Sequence, residues 1–209
     1  YWAAPNASLQ TVRGMHRFIW DMHYEPTDGM TPSQGGAVPH RTYSSPSTPW
    51  APPGSYIVRL NVDGKSYSQP MKLVLDPRVK TPASVIAQVS SLSREMYDGA
   101  VALRAAYANA RAMSARMTDA RDAALKARID SIAPIATRGR GFGFGFGQAP
   151  AGPPSLESVR NAMMSAAMSM QSADVGRTQR QLDAVEKARA QYKEVMARWQ
   201  KLAGAKPRG

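Results

Sequence analysis

Residues 50–80 read WAPPGSYIVRLNVDGKSYSQPMKLVLDPRVK and hold the clearest structural signal in the chain. Apolar side chains alternate along Ser55–Val62 and again along Lys65–Leu75, which is the period of a β-strand with one buried face. Asp63-Gly64 separates the two runs, and such a pair is typical of a two-residue hairpin turn. The pattern predicts a β-hairpin that ends in a rigid corner at Asp76-Pro77-Arg78, because proline restricts its own φ and the preceding residue.

Both strands of this hairpin carry their large apolar residues on one face. Pro70 falls within the second strand. Because proline has no backbone N–H to donate, we expect it at a sheet edge or a bulge. The predicted apolar positions are Tyr56, Val58, Leu60 and Val62 in the first strand, and Tyr67, Met71, Leu73 and Leu75 in the second.

The residues before the hairpin predict further β-structure. Thr11–Tyr24 alternates with period two, and we expect a half-buried strand there with Phe18 and Trp20 in the core. A Pro- and Gly-rich loop follows at 25–53, and we expect contacts to hold it in place. Together these features predict a small antiparallel Ig-like β-sandwich as a domain over residues 1–80.

The second part of the chain predicts long helices. Apolar residues recur at helical spacing over about 82–133 and again over about 155–203, and a Gly-Phe loop at 135–154 joins the two segments. Ser155 is a candidate N-cap, and Gly99 marks either a bend or a close helix crossing. We therefore expect residues 81–209 to form a long antiparallel two-helix hairpin that resembles a coiled coil, so that the fold class is α+β.

Composition limits the classes of function. The chain has 27 Lys and Arg against 15 Asp and Glu, a net charge of +12 that is spread along the sequence, and it has no cysteine. Disulfides, thiolate metal sites and cysteine nucleophiles are therefore excluded. No run of 18 apolar residues predicts a membrane span. The chain begins at Tyr1-Trp2 without a signal peptide, so we expect a processed product or part of a longer protein.

The hairpin also carries a family resemblance. The stretch GMHRFIWDM at 14–22, together with PPGSYIVRLNVDGK and LDPRV in the hairpin, resembles the C-terminal region of bacterial sortilin-like proteins with BNR-type β-propellers, often labelled glycosyl hydrolases. The match covers about residues 12–135. It implies a β-sandwich followed by a helical segment in an extracytoplasmic, periplasmic or secreted module. The family's Asp-box repeats and the propeller itself are absent here, so no catalytic residue is carried over.

The residues that could carry chemistry do not form a recognisable site. His16, His23 and His40 lack the spacing of metal ligands, and the carboxylates are scattered, whereas a glycosidase needs two across a cleft. The serines lack the context of a nucleophile elbow. We expect no catalytic, metal or cofactor-binding residues, and hence no enzyme.

The candidate partner-binding residues lie mainly in the two loops. The segment RGRGFGFGFG at 138–147 is open to three interpretations: a flexible connector, a docking tip, or a segment that stacks on single-stranded nucleic acid. The aromatic residues of the Pro-rich loop and two methionines outside the main helical stripe are further candidates. The full set is Arg138, Arg140, Phe142, Phe144, Phe146, Tyr43, Trp50, Met164 and Met168.

These features favour a non-enzymatic structural subunit. We expect it to dock on the periplasmic face of a larger bacterial membrane-associated complex, such as an envelope, secretion or photosynthetic assembly. Its partners would be other protein subunits, with anionic lipid head groups as further candidates and nucleic acid least favoured. One alternative is an accessory carbohydrate-binding domain of a secreted propeller-type hydrolase, and a second is a basic protein that binds single-stranded nucleic acid.

Overall fold

The computed structural model describes residues 11–18, 20, 22–25, 48–135, 153–171 and 173–204. The chain divides into two units, of which the first takes Tyr1–Arg94 with Met168–Thr178 and the second takes Glu95–Ala167 with Gln179–Gly209. The elements in chain order are β1 (Gly54–Val62), β2 (Lys65–Leu73), α1 (Ala83–Arg116), a 3-10 turn (Ala120–Asp122), α2 (Ala123–Ile132), α3 (Leu156–Ser169) and α4 (Gln179–Ala203).

The predicted β-hairpin is confirmed. β1 and β2 pair antiparallel, with Val62 opposite Lys65 next to the turn and Gly54 opposite Leu73 at the open end. Asp63 and Gly64 form the two-residue turn with φ of 48° and 76°. Positive φ at both positions gives the turn a twist that matches the right-handed twist of the strands, which explains why Asp-Gly is favoured here.

The prediction of an Ig-like β-sandwich is wrong. Within the described residues the hairpin is a sheet of two strands, and no second sheet packs on it. Among the described residues of 11–24, the expected strand is reduced to a single bridge between His23 and Trp50. Positive φ at Gly14 (147°) and Met22 (62°) interrupts the extended conformation that a longer ladder needs. Phe18, predicted in the core, is 54% exposed.

Backbone bonds around the bridge hold this segment beside the start of the hairpin. The N–H of Tyr24 donates to the carbonyl of Pro49 at 3.0 Å, and the N–H of Ala51 donates to the carbonyl of Met22 at 2.7 Å. Trp20 lies edge-on against Tyr56, with ring centroids 5.9 Å apart. The segment therefore contacts the hairpin through aromatic side chains, without adding a strand to it.

The prediction of a single two-helix hairpin is also wrong, because each predicted long helix is two helices. α1 ends at Arg116. Asp119 begins a new turn, and its side chain accepts a hydrogen bond from the backbone N–H of Arg121. An aspartate that bonds the backbone in this way competes with the continuing helix. The second predicted helix is interrupted between α3 and α4, where Gly176 lies.

A polar cluster ties α2 back against the end of α1 in the second unit. The carboxylate of Asp130 accepts hydrogen bonds from the guanidinium of Arg111 and from the hydroxyl of Ser114, each at 2.6 Å. The ammonium of Lys126 donates to the hydroxyl and the carbonyl oxygens of Ser114 at 2.9 Å and 2.8 Å. Ser114 is fully buried, so these bonds satisfy polar groups that would otherwise be costly to bury.

Small residues let the helices of the second unit approach closely. A Cβ built on Gly99 would overlap Cε of Met163 and lie 3.7 Å from Cδ2 of Tyr192, so of the two alternatives at Gly99 the structure favours the close crossing. The N-cap at Ser155 is confirmed. Its hydroxyl accepts from the N–H of Ser158 at 3.2 Å, while the hydroxyl of Ser158 accepts from the N–H of Ser155 at 2.9 Å.

An ion pair links α4 to α1 across the surface of the same unit. The guanidinium of Arg189 donates to both carboxylate oxygens of Glu95, with both distances at 2.6 Å, and also contacts Glu186. Hydrogen bonding to Arg189 holds the pKa of Glu95 below its ordinary value. A bidentate pair of this kind fixes the relative orientation of two helices more than it adds net stability.

We predict that Asp130→Asn destabilises the protein by about 1 kcal/mol at neutral pH, because the charged acceptor of the cluster is lost. The hydrogen bond from Ser114 and the pairing with Arg111 lower the pKa of Asp130. The carboxylate therefore stabilises the fold above the unfolded-state pKa of about 4, and this contribution disappears as the pH falls through the folded-state pKa.

Urea unfolding between pH 7 and pH 2 measures this effect. Asp183→Asn is the matched control, since Asp183 accepts one hydrogen bond from Gln179 on the exposed face of α4. The wild type and the control should lose more stability between pH 5 and pH 2 than Asp130→Asn does. Equal losses in all three proteins would contradict the role given to the cluster.

Candidate docking surface

The hairpin of the first unit presents one apolar face, as the sequence predicts. The register places Tyr56 opposite Met71 and Leu60 opposite Tyr67, so the apolar side chains of the two strands meet across the pair. We call this surface the apolar face and define it by Tyr56, Val58, Leu60, Val62, Tyr67, Met71 and Leu73.

The half of the apolar face nearest the turn is open. Val58 is 51% exposed, Leu60 and Val62 are each 45% exposed, and Tyr67 is 57% exposed. The open end of the hairpin is better covered, because Trp20 packs edge-on against Tyr56. The sequence predicts that the residues before the hairpin pack on this face. Such packing is present only at the open end of the hairpin, through Trp20.

The opposite face of the hairpin is exposed and mostly polar. It carries one large aliphatic side chain, Ile57, among serine, asparagine, lysine and arginine residues. A two-stranded sheet without a covered face is at best marginally stable in water. The hairpin thus lacks, within the described part of the chain, the third strand or packed layer that usually stabilises such a sheet.

Covering the apolar face would release substantial free energy. Fully burying one large apolar side chain stabilises by about 1.5–3 kcal/mol. Burying the remaining exposed surface of these four residues would therefore contribute a few kcal/mol of free energy. Contiguous exposed apolar surface of this kind marks interaction sites, whereas scattered single residues need no explanation. The arrangement suits association with an apolar surface.

Basic residues lie on both faces of the hairpin, with Lys65 on the side of the apolar face and Arg59 and Lys72 on the opposite side. Residues 54–80 contain five lysines and arginines and two aspartates. Arg59, Lys65 and Lys72 are exposed and form no ion pair with any described residue. Asp76 is already engaged by Arg78 through a bond of 2.6 Å, and this hydrogen bonding lowers the pKa of Asp76. The hairpin segment therefore carries a net positive charge.

The structure places three of the predicted partner-binding residues. Trp50 is exposed, stacks on His23 with ring centroids 3.7 Å apart, and donates its backbone N–H to the side chain of Gln171 at 2.8 Å. Met164 is 3% exposed and Met168 is half-buried. The remaining predicted residues, Arg138, Arg140, Phe142, Phe144, Phe146 and Tyr43, lie outside the described residues.

The described ranges contain no cluster of metal ligands, and one cavity there is small. No group of three or more His, Cys, Asp or Glu residues there could hold a metal ion. Nε2 of His16 lies 2.6 Å from the carbonyl of Val12, so this ring is already engaged. A cavity between Arg104, Tyr107 and Arg160 has about 10 Å³, which is room for one water.

No helix of the described residues is long and apolar enough to cross a bilayer. Comparisons with known proteins add no assignment, since no protein-family model, curated protein or solved structure matches the chain. The geometry of the apolar face is therefore the principal guide to function.

We predict that the apolar face binds the hydrophobic dye bis-ANS and that the double variant Val58→Thr/Leu60→Thr reduces its fluorescence by roughly half. Threonine has a high strand preference and removes apolar surface at both positions, and at Val58 it also keeps the β-branched shape. Ile57→Thr is the matched control, because Ile57 lies on the opposite face and is also exposed. An equal reduction in the control would show that the dye does not report on the apolar face.

Proposed function

We propose that this protein is a non-enzymatic scaffolding subunit that docks a partner protein on the apolar face of its β-hairpin. The observation that carries the proposal is the open apolar half of a two-stranded sheet, at Val58, Leu60, Val62 and Tyr67. A water-soluble surface rarely leaves such a face uncovered unless a second molecule covers it.

The size of a stable interface indicates how far the contact extends. A specific protein interface buries at least about 1,200 Å² in total, which is more than the open half of one hairpin face supplies. We therefore expect the partner also to contact the exposed aromatic residues of the same unit, Phe18, Trp20 and Trp50. Large aromatic side chains at the centre of an interface commonly contribute most of its binding energy.

The charge around the face supports a protein partner of acidic character. The chain carries a net charge of +12, and Arg59, Lys65 and Lys72 of the hairpin form no ion pair with any described residue. Complementary charges at a rim mainly accelerate association and select the partner, while the apolar centre provides the affinity.

The cellular setting of this proposal rests on the family resemblance alone. The resemblance to the C-terminal region of sortilin-like propeller proteins implies an extracytoplasmic bacterial module. On that basis we place the subunit on the periplasmic face of a membrane-associated complex, with other protein subunits as its partners. Anionic lipid head groups are a further candidate contact for its basic surface.

A site-specific photo-crosslinker tests the docking surface in cells of the source organism. We predict that p-benzoylphenylalanine at Leu60 forms one discrete protein adduct, because Leu60 lies in the open half of the apolar face. The same group at Ser68 is the matched control, since Ser68 is an exposed residue on the opposite face of the same hairpin. Mass spectrometry identifies the adduct.

The proposal also requires the adduct to depend on the face itself. Val58→Thr should reduce the yield from Leu60, because the neighbouring apolar side chain is removed without a change of charge. The absence of an adduct from Leu60, or equal yields from Leu60 and Ser68, would overturn the docking role.

A further inference from the structure

Pro70 reveals how the backbone groups of the hairpin are oriented. Pro70 is paired with Ile57, yet it has no N–H to donate. Opposed residues of an antiparallel pair alternate between those that exchange two hydrogen bonds and those that exchange none. The pair Ile57–Pro70 must therefore be of the second kind, in which the backbone groups point away from the partner strand.

The same orientation holds at every second residue along each strand. On β1 the outward positions are Ser55, Ile57, Arg59 and Asn61, and on β2 they are Ser66, Ser68, Pro70 and Lys72. The outer edge of β1 thus offers an N–H and a carbonyl at each of its four outward positions. The outer edge of β2 lacks a donor at Pro70, so a strand pairing there would meet a gap and the pyrrolidine ring.

The outer edge of β1 is free and accessible. Its four outward residues are exposed, and their backbone groups form no hydrogen bond to any described residue. A row of unpaired donors and acceptors on an exposed edge is a template for another strand. Of the two edges of this sheet, β1 alone has an uninterrupted row.

We propose that the outer edge of β1 takes up an extended segment of an acidic partner protein as a third strand of the sheet. This inference rests on the proposed function and specifies how the partner binds. A third strand beside β1 would lie next to Val58, Leu60 and Val62 and would extend the apolar face sideways. Main-chain bonds would give affinity, and alternate side chains would give specificity.

The side chains of β1 define the chemistry of the segment. Val58 and Leu60 require apolar residues at the positions that continue the apolar face. Arg59 projects from the other face, is exposed and forms no described ion pair, so it favours a carboxylate beside it. The expected segment alternates apolar and acidic residues over about eight positions, which is close to the length of β1 and within the usual range for strands.

Charge disfavours a second copy of this chain as the occupant. Antiparallel pairing of two β1 strands about a two-fold axis would bring the Arg59 side chains of both copies onto the same face within a few residues of each other. Each copy also carries a net charge of +12. Like charges across a strand pair destabilise the pairing, whereas an acidic segment gains from the same arginine.

Amide hydrogen exchange with a synthetic peptide tests this mode of binding. The probe is an acetylated and amidated octapeptide of alternating glutamate and valine, and the same peptide with lysine in place of glutamate is the charge control. NMR follows the exchange of individual amides in the full chain. We expect the glutamate peptide to slow exchange at Ile57, Arg59 and Asn61, with no change at Ser66 and Ser68.

Two proline variants make the test specific to one edge. Ile57→Pro removes an outward N–H from β1, and Ser68→Pro removes an outward N–H from β2, while neither removes a bond within the hairpin. We expect Ile57→Pro to weaken peptide binding at least about tenfold and Ser68→Pro to leave it within about twofold. Ile57→Ala, which removes the side chain alone, should bind like the wild type.

Each other outcome overturns the inference. Protection of Ser66 and Ser68, equal binding of the lysine peptide, equal loss in both proline variants, or no detectable binding of the glutamate peptide would each exclude strand addition at β1. Protection of the β1 amides without peptide, together with a dimer in analytical ultracentrifugation, would assign the edge to a second copy. A Leu60 photo-adduct that persists in Ile57→Pro would reject strand addition while leaving the docking role intact.

Discussion

The missing backbone N–H of Pro70 is the constraint on which the arrangement of the hairpin depends. Because Pro70 pairs with Ile57 and cannot donate, the pair has to occupy a position without hydrogen bonds. Alternation then determines which groups of both strands bond each other and which face outward. One edge is interrupted by the proline, and the other keeps every donor. Proline is usually unfavourable in a sheet. Here Pro70 leaves the outer edge of β1 as the edge at which the proposed third strand can pair without a gap.

The hairpin and the helices bury their apolar residues to different extents. The helices of the second unit pack closely at Gly99, where Met163 occupies the space of a side chain, and their core positions are fully buried. The hairpin of the first unit has a regular apolar face with half of it open. Close packing of this kind buries the core positions of the helices. The face of the hairpin, by contrast, still exposes apolar area that a partner could bury.

Sequence patterns predicted most local elements correctly. They predicted poorly which surfaces of those elements other parts of the chain would bury. Alternation and the Asp-Gly turn predicted both strands, the cap at Ser155 was also predicted, and a close crossing was one of two alternatives at Gly99. Helical periodicity, however, continues across Asp119, so the break there was missed. α1 ends at Arg116, and the side chain of Asp119 caps the 3-10 turn that follows, which a search for apolar spacing does not detect.

The docking surface illustrates the same difficulty. The apolar residues of the hairpin were recognised and assigned to the core of a sandwich, because an alternating strand looks the same whether its own chain or a partner covers it. Likewise, the spacing of Met164 suggested an accessible contact, and the structure buries it. Exposure is a property of what packs on a residue, and a one-dimensional pattern contains no information about it.

The sequence by itself determined the hairpin, its turn, its apolar face and the helical character of the second half of the chain. These features depend on residues close in sequence, through φ preferences, missing N–H groups and side-chain periodicity. The tertiary structure alone decided that the described part of residues 11–24 forms one bridge, that the long helices divide, and that the face around Leu60 remains open. Those outcomes depend on contacts between distant residues, which compete with local preference and can override it.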